Sequence, residues 1–167
     1  MLSGAALAEP TELDALLEGL KTADAAAAEQ IENRIYELWS QSGSEAMNLL
    51  LDRGREALSE GDTTLAIRHF TALIDHAPEF AEGYNGRATA YFQTGRFGLS
   101  LEDIRQTLTL NPNHFGAMRG LALILEEFGR PEDALNAWRE VAKLSPNGDG
   151  VEASIKRLEQ DVEGSEI

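Results

Sequence analysis

A chain of 167 residues, 43% of them apolar, suffices for one packed domain or a short repeat array and is too apolar to stay disordered. Its 29 acidic against 14 basic residues give a formal charge of −15, which removes the phosphate neutralisation that nucleic-acid binding needs. It has no cysteine, hence no disulfide, thiolate nucleophile or cysteine metal site, and no apolar run nears the roughly 20 residues of a membrane-spanning helix.

Residues 1–10 read as a tail. Ala6, Leu7 and Ala8, before Glu9 and Pro10, resemble a signal-peptidase site, yet the charged and apolar stretches that precede such a site are missing. Either the chain starts inside a longer precursor cut after Ala8, which places the protein in a bacterial periplasm, or the tail is merely rich in small residues and the protein is cytoplasmic. Residues 11–43 then form a helical hairpin. Thr11 caps a short helix with Leu13, Leu16, Leu17 and Leu20 inward, and Asp24 caps a longer one with the stripe Ile31, Ile35, Leu38 and Trp39. This hairpin is expected to pack on the segment that follows it.

From residue 47 the chain repeats every 34 residues. Pro78, Pro112 and Pro146 share a column, as do Gly61, Gly95 and Gly129. Gly54, Ala88 and Ala122 form a small column, Ala66, Ser100 and Ala134 another, and Phe70, Ile104 and Trp138 a large apolar one. Each copy splits at its glycine into two stretches with apolar residues at helical spacing, so each is a helical hairpin that its proline terminates. The units are 47–80, 81–114 and 115–148. A fourth copy fails because Glu152, Lys156 and Glu159 stand in core columns, while Val151, Ile155, Leu158 and Val162 keep one apolar stripe. Residues 149–163 are therefore a capping helix, which closes an open solenoid end, and 164–167 a tail.

These columns resemble the tetratricopeptide repeat (TPR) family. The resemblance implies an all-α, right-handed superhelical solenoid of three hairpin repeats, with the N-terminal hairpin and the capping helix at its ends. Arg53 and Arg87 replace the family's usual leucine, as in a frequent bacterial variant, and are expected to pair with acids on adjacent helices. The resemblance also implies a concave face lined by the first helix of each unit. Its groove columns fall on Asn48, Leu51, Arg55 and Leu58, then Glu82, Asn85, Thr89, Phe92 and Gln93, then Gly116, Arg119, Leu123 and Glu126. Amides there can bond a peptide backbone in both directions, the apolar side chains offer contact, and Arg55 and Arg119 can pair with carboxylates. The clamp with which some family members grip the acidic C-termini of heat-shock chaperones needs lysine, asparagine and arginine, and its positions here hold Leu51, Arg55, Gly86, Gly116 and Gly120.

Signals for chemistry are lacking. His69, His76 and His114 lie on different repeats without ligand spacing and are read as solvent-facing or turn residues, so no metal is expected. Neighbouring acids such as Glu132 and Asp133 suit the start of a helix rather than acid–base work. The segment SPNGDG at 145–150 has neither the lysine nor the preceding strand of a phosphate loop. Trp39 and Trp138 are expected to fill core gaps. The sequence thus points to a scaffold without enzymatic activity or cofactor, holding a peptide or helix of a partner protein in its groove. The alternative is a structural or self-associating subunit of a bacterial envelope assembly.

Overall fold

The computed structural model describes residues 10–165; the Ala6-Leu7-Ala8 motif and residues 166 and 167 lie outside them. All regular structure among the described residues is helical: α1 (Glu12–Leu20), α2 (Ala25–Trp39), α3 (Glu45–Ser59), α4 (Thr63–His76), α5 (Ala81–Gln93), α6 (Phe97–Leu110), α7 (Phe115–Glu127), α8 (Pro131–Leu144) and α9 (Val151–Ser165). None of these is long and apolar enough to cross a membrane.

Local chemistry accounts for the boundaries. Thr11 and Asp14 form a reciprocal capping box at the start of α1, and the Asp24 carboxylate accepts from the Ala27 amide at the start of α2. Gly61, Gly95 and Gly129 sit between paired helices at φ of 80°, 69° and 63°, a left-handed turn in which a side chain would be strained. Helices α4, α6 and α8 each stop two residues before a proline. The intervening Ala77, Asn111 and Ser145 take φ of −136°, −136° and −139° with ψ of 68°, 91° and 75°, outside the helical region that a following proline disfavours.

Helices α3/α4, α5/α6 and α7/α8 pair as antiparallel hairpins that stack in sequence, with α9 against α8. The aromatic ring of Phe70 on α4 lies between α3 and α5. A methyl group built on either Gly54 or Gly86 would fall inside its van der Waals surface, so both glycines are needed for these helices to close on the ring. The Arg87 fork holds both oxygens of Asp103 at 2.7 and 2.8 Å and reaches Thr71 at 3.2 Å, tying α5 to α6 and α4. Arg53 differs from expectation, since its side chain is exposed rather than paired across to an adjacent helix. Val151 and Leu158 bury the inner stripe of α9 while Glu152 and Lys156 face water.

The first helices of the hairpins touch in series, α3 to α5 and α5 to α7, whereas α4, α6 and α8 make no comparable contact with each other. A stack whose first helices lie closer together than its second helices curves toward the first ones. Helices α3, α5 and α7 therefore line the inner, concave side.

The N-terminal hairpin departs from the expected packing on the first repeat. Its core of Leu20, Ala28 and Ile35 is completed by Phe115 of α7, with Leu144 of α8 packed alongside. Five residues connect α2 to α3, and within them the Ser42 amide and hydroxyl donate to the Asn48 side-chain oxygen at 2.9 and 2.6 Å. That turn sends α2 back across the inner side toward the third repeat.

Candidate functional site

The inner side is built around α2, whose contacts run from the first repeat to the third. At one end the Arg55 guanidinium donates to the Ser40 hydroxyl at 2.8 Å and to Glu82 at 2.7 Å. The second Glu82 oxygen lies 2.7 Å from His114 Nε2. Nδ1 of the same ring accepts the Ala117 amide at 3.1 Å, capping α7, so the proton sits on Nε2 and is donated to Glu82. His114 is 0% and Glu82 2% exposed. His114 thus occupies a turn, as the sequence suggests, but is buried rather than solvent-facing. Every polar atom of this buried pair has a partner, without which its desolvation would oppose folding.

Further along α2, the Trp39 ring stacks on His114 with centroids 4.7 Å apart, and Tyr36 meets Phe115 edge-on at 5.1 Å. Trp39 is therefore a contact between hairpin and groove, whereas Trp138 is buried in the repeat core. Burial pushes the Tyr36 hydroxyl well above its ordinary pKa. Gly116 makes room for it, because a methyl group there would collide with the Tyr36 oxygen. At the far end Glu32 receives both terminal nitrogens of Arg119, at 3.1 and 2.6 Å, and the Ser145 hydroxyl at 2.5 Å. Asn147 donates to the Ala23 carbonyl at 2.7 Å.

The groove residues expected from the sequence consequently fall into two groups. Asn48, Arg55, Glu82 and Arg119 are engaged with the chain's own connector, with α2 or with each other. Leu51 is in the core at 1% exposure, and Glu126 accepts from Trp138 at 2.7 Å and from Arg157 of α9 at 2.6 Å. Asn85, Thr89, Phe92 and Leu123 remain together. With Ala88, Ile104, Ala117, Gly120 and Arg119 they line a cavity of about 200 Å³ between α5 and α7. Leu123 at its mouth is 41% exposed, and Phe92 leans on Phe97 with ring centroids 5.4 Å apart. Asn85 also lines a wider trough of about 830 Å³ with Asn33, Tyr36, Glu37, Ser40, Arg55 and Glu82. Gln93 is exposed and lines neither.

The residues that sequence reasoning passed over are Glu32, Tyr36, His114 and Ser145. A signal existed for Glu32: it stands one repeat period before Ala66, in the small column continued by Ser100 and Ala134, where a carboxylate is unfit for close helix packing and needs a cation elsewhere.

This architecture of paired helices with an inner face agrees with a sequence profile described as tetratricopeptide repeat, which matches residues 51–104 and 86–149. The chain belongs to the tetratricopeptide repeat family. It is similar to a TPR repeat-containing protein of Rhizobium etli, 32% identical over 154 residues that cover 92% of this chain and 76% of that protein. Small glutamine-rich tetratricopeptide repeat-containing protein 2 of Saccharomyces cerevisiae is 28% identical over 130 residues, which make up 78% of this chain but 37% of the yeast protein. Among solved structures, the TPR domain of Arabidopsis OM64 superposes with a TM-score of 0.67 at 20% identity, over 70% of this chain and 97% of that one. The first TPR of Spaghetti (RPAP3), solved bound to the HSP90 peptide SRMEEVD, gives 0.66 at 22% identity, over 70% and 92%. At these identities the superpositions establish a shared TPR solenoid. Their coverage leaves room in this TPR protein for helices outside the shared repeats.

Proposed function

We propose that this TPR protein is a non-enzymatic scaffold that binds a segment of another protein on the part of its inner face that α2 leaves open. One observation carries the reading: Asn85, a side chain with both donor and acceptor groups, lies where the apolar cavity and the wider trough meet. An extended segment crossing there can place a side chain against Phe92 and Leu123 and a peptide group on Asn85. The contact residues are then Asn85, Thr89, Phe92 and Leu123, with Gln93 outside the two spaces. Family membership supports the reading, as does a neighbour of the same fold solved with a peptide bound.

The segment is not expected to be a chaperone C-terminus held by a carboxylate clamp. Leu51 is core, Gly86, Gly116 and Gly120 carry no side chain, and Arg55 is committed to Glu82 and Ser40. The test is a pull-down with the full chain, comparing wild type with Phe92→Ala, Leu123→Glu and the distant surface variant Arg68→Ala. A partner retained by Arg68→Ala and lost by both groove variants is expected. For that partner Asn85→Ala should weaken binding by about 1 to 3 kcal/mol, the penalty for leaving a buried backbone group unpaired. Partners captured equally by all four proteins would refute the assignment of this face.

A further inference from the structure

Resting on that reading, we propose that α2 is a built-in acidic ligand of the groove, and that the segment bound beside it is basic and anchored by one apolar side chain. The two arginines on the inner face are the groups that would attract an acidic segment. Glu82 takes Arg55, and Glu32, delivered by α2, takes both terminal nitrogens of Arg119. Among the charged residues lining the two open spaces, Arg55 and Arg119 are offset by Glu82 and Glu37, while Glu32 behind Arg119 and Arg34 behind Glu37 complete a balanced set. Each of these cations already has a carboxylate partner, and the Arg119 donor without one, Nε, is buried away from an incoming segment. The field beyond is that of a chain with formal charge −15, which repels an acidic segment and draws in a basic one.

The cavity itself selects an apolar anchor. Its walls are Ala88, Phe92, Ile104, Ala117 and Leu123, and its floor is open because residue 120 is glycine. A methyl group at Gly120 would come within 3.3 Å of Ile104 Cδ1 and fill that floor. A volume of about 200 Å³ has room for a single side chain, leaving the flanking residues in the open trough where charge is read.

The test uses three fluorescein-labelled dodecapeptide pools with one central leucine, flanked by mixtures of Lys and Ser, Gln and Ser, or Asp and Ser. Binding to the full chain is followed by fluorescence anisotropy at ~50 and ~300 mM salt. The Lys pool should bind about tenfold more tightly than the Asp pool at low salt, with the Gln pool between them and the gap narrowing at high salt. Replacing the central leucine by serine, or Phe92→Ala in the protein, should abolish binding of the Lys pool. Glu32→Gln frees Arg119 and should raise affinity for the Asp pool about fivefold. Glu37→Lys, a change at an exposed position of the trough, should shift the preference in the same direction if Glu32→Gln fails to fold. Equal or tighter binding of the Asp pool to wild type would overturn the charge preference while leaving the groove reading intact. Binding insensitive to Phe92→Ala and to the loss of leucine would overturn the anchor, and absence of binding by every pool would overturn the whole proposal. The groove reading itself is tested independently by the pull-down.

Discussion

Glu32 of α2 and Arg119 of α7, 87 residues apart in sequence, form a two-point ion pair at 2.6 and 3.1 Å that joins the N-terminal hairpin to the third repeat. Both side chains are largely withdrawn from water, with exposures of 10% and 18%. Removing either partner leaves a charge desolvated without its counter-ion, which is more destabilising than the intact pair is stabilising. Glu32→Ala and Arg119→Ala should each lower the unfolding free energy by about 3 kcal/mol, and the double variant should lose less than the sum of the two. Urea unfolding followed by circular dichroism checks this, and additive losses would show that the pair is not coupled.

Two glycines let α2 approach. At Gly116 a methyl group would meet the Tyr36 oxygen, and at Gly148 it would enter the cluster of Arg119, Ser145 and Glu32. Gly116→Ala and Gly148→Ala should each destabilise by about 1 to 3 kcal/mol through overpacking, despite alanine's better helix propensity at position 116. Gly98 in α6 has open space around its Cα, so Gly98→Ala should instead stabilise by about 0.5 kcal/mol. Thermal unfolding of the three variants distinguishes the cases by the sign of the shift.

The contrast between repeats and hairpin marks what the sequence makes legible. Each repeat is specified by local, periodic chemistry: a turn glycine at 61, 95 and 129, a terminating proline, and a ring such as Phe70 against small residues. All of it is visible at fixed spacing and makes the solenoid class readable. The seat of α2 depends on pairs without a sequence rule, Glu32 with Arg119 and Ser145, and Trp39 with His114. Each member looks ordinary alone, and the separations of 87 and 113 residues for the Glu32 pairs give no period to detect. The same blindness affects the groove. Asn48, Arg55, Glu82 and Arg119 occupy first-helix positions suited to a partner, and only the fold reveals that the chain itself engages them.

Acid should loosen the first helix of the N-terminal hairpin. The Arg34 hydrogen bond holds the Glu12 carboxyl below its ordinary value of 4.5, and hydrogen bonds from Thr11 hold Asp14 below 3.8. A carboxylate whose folded pKa is depressed contributes its stabilisation above the unfolded pKa and loses it as the pH falls through the folded value. The two contacts therefore act fully above about pH 4.5 and fade below it, first weakening the start of α1 and its tie to α2. Carboxyl carbon shifts measured by NMR between pH 2 and 6 should give midpoints below 4.5 for Glu12 and below 3.8 for Asp14. Midpoints at or above those values would remove these contacts from the account of α1. Asp14→Asn should abolish the acid-dependent fraying at Thr11.

The two tryptophans report on different parts of the same molecule. Trp39 stacks on His114 at the seam between α2 and the groove, while Trp138 is buried between α7 and α9 and donates to Glu126. Trp138→Phe leaves Trp39 as the only fluorophore of its kind, and Trp39→Phe leaves Trp138. Phe115, in the first turn of α7, is fully buried against the hairpin residues Leu20 and Ile35, so opening the hairpin exposes part of the third repeat as well. That shared core makes hairpin and third repeat one cooperative unit. Once each variant is referred to its own global midpoint by circular dichroism, the fluorescence transition should coincide with it to within about 0.2 M urea. A Trp39 transition well below the global one would mean that α1 and α2 detach while the repeats stay folded. In that event the inner face would be fully open, with Arg119 released from Glu32.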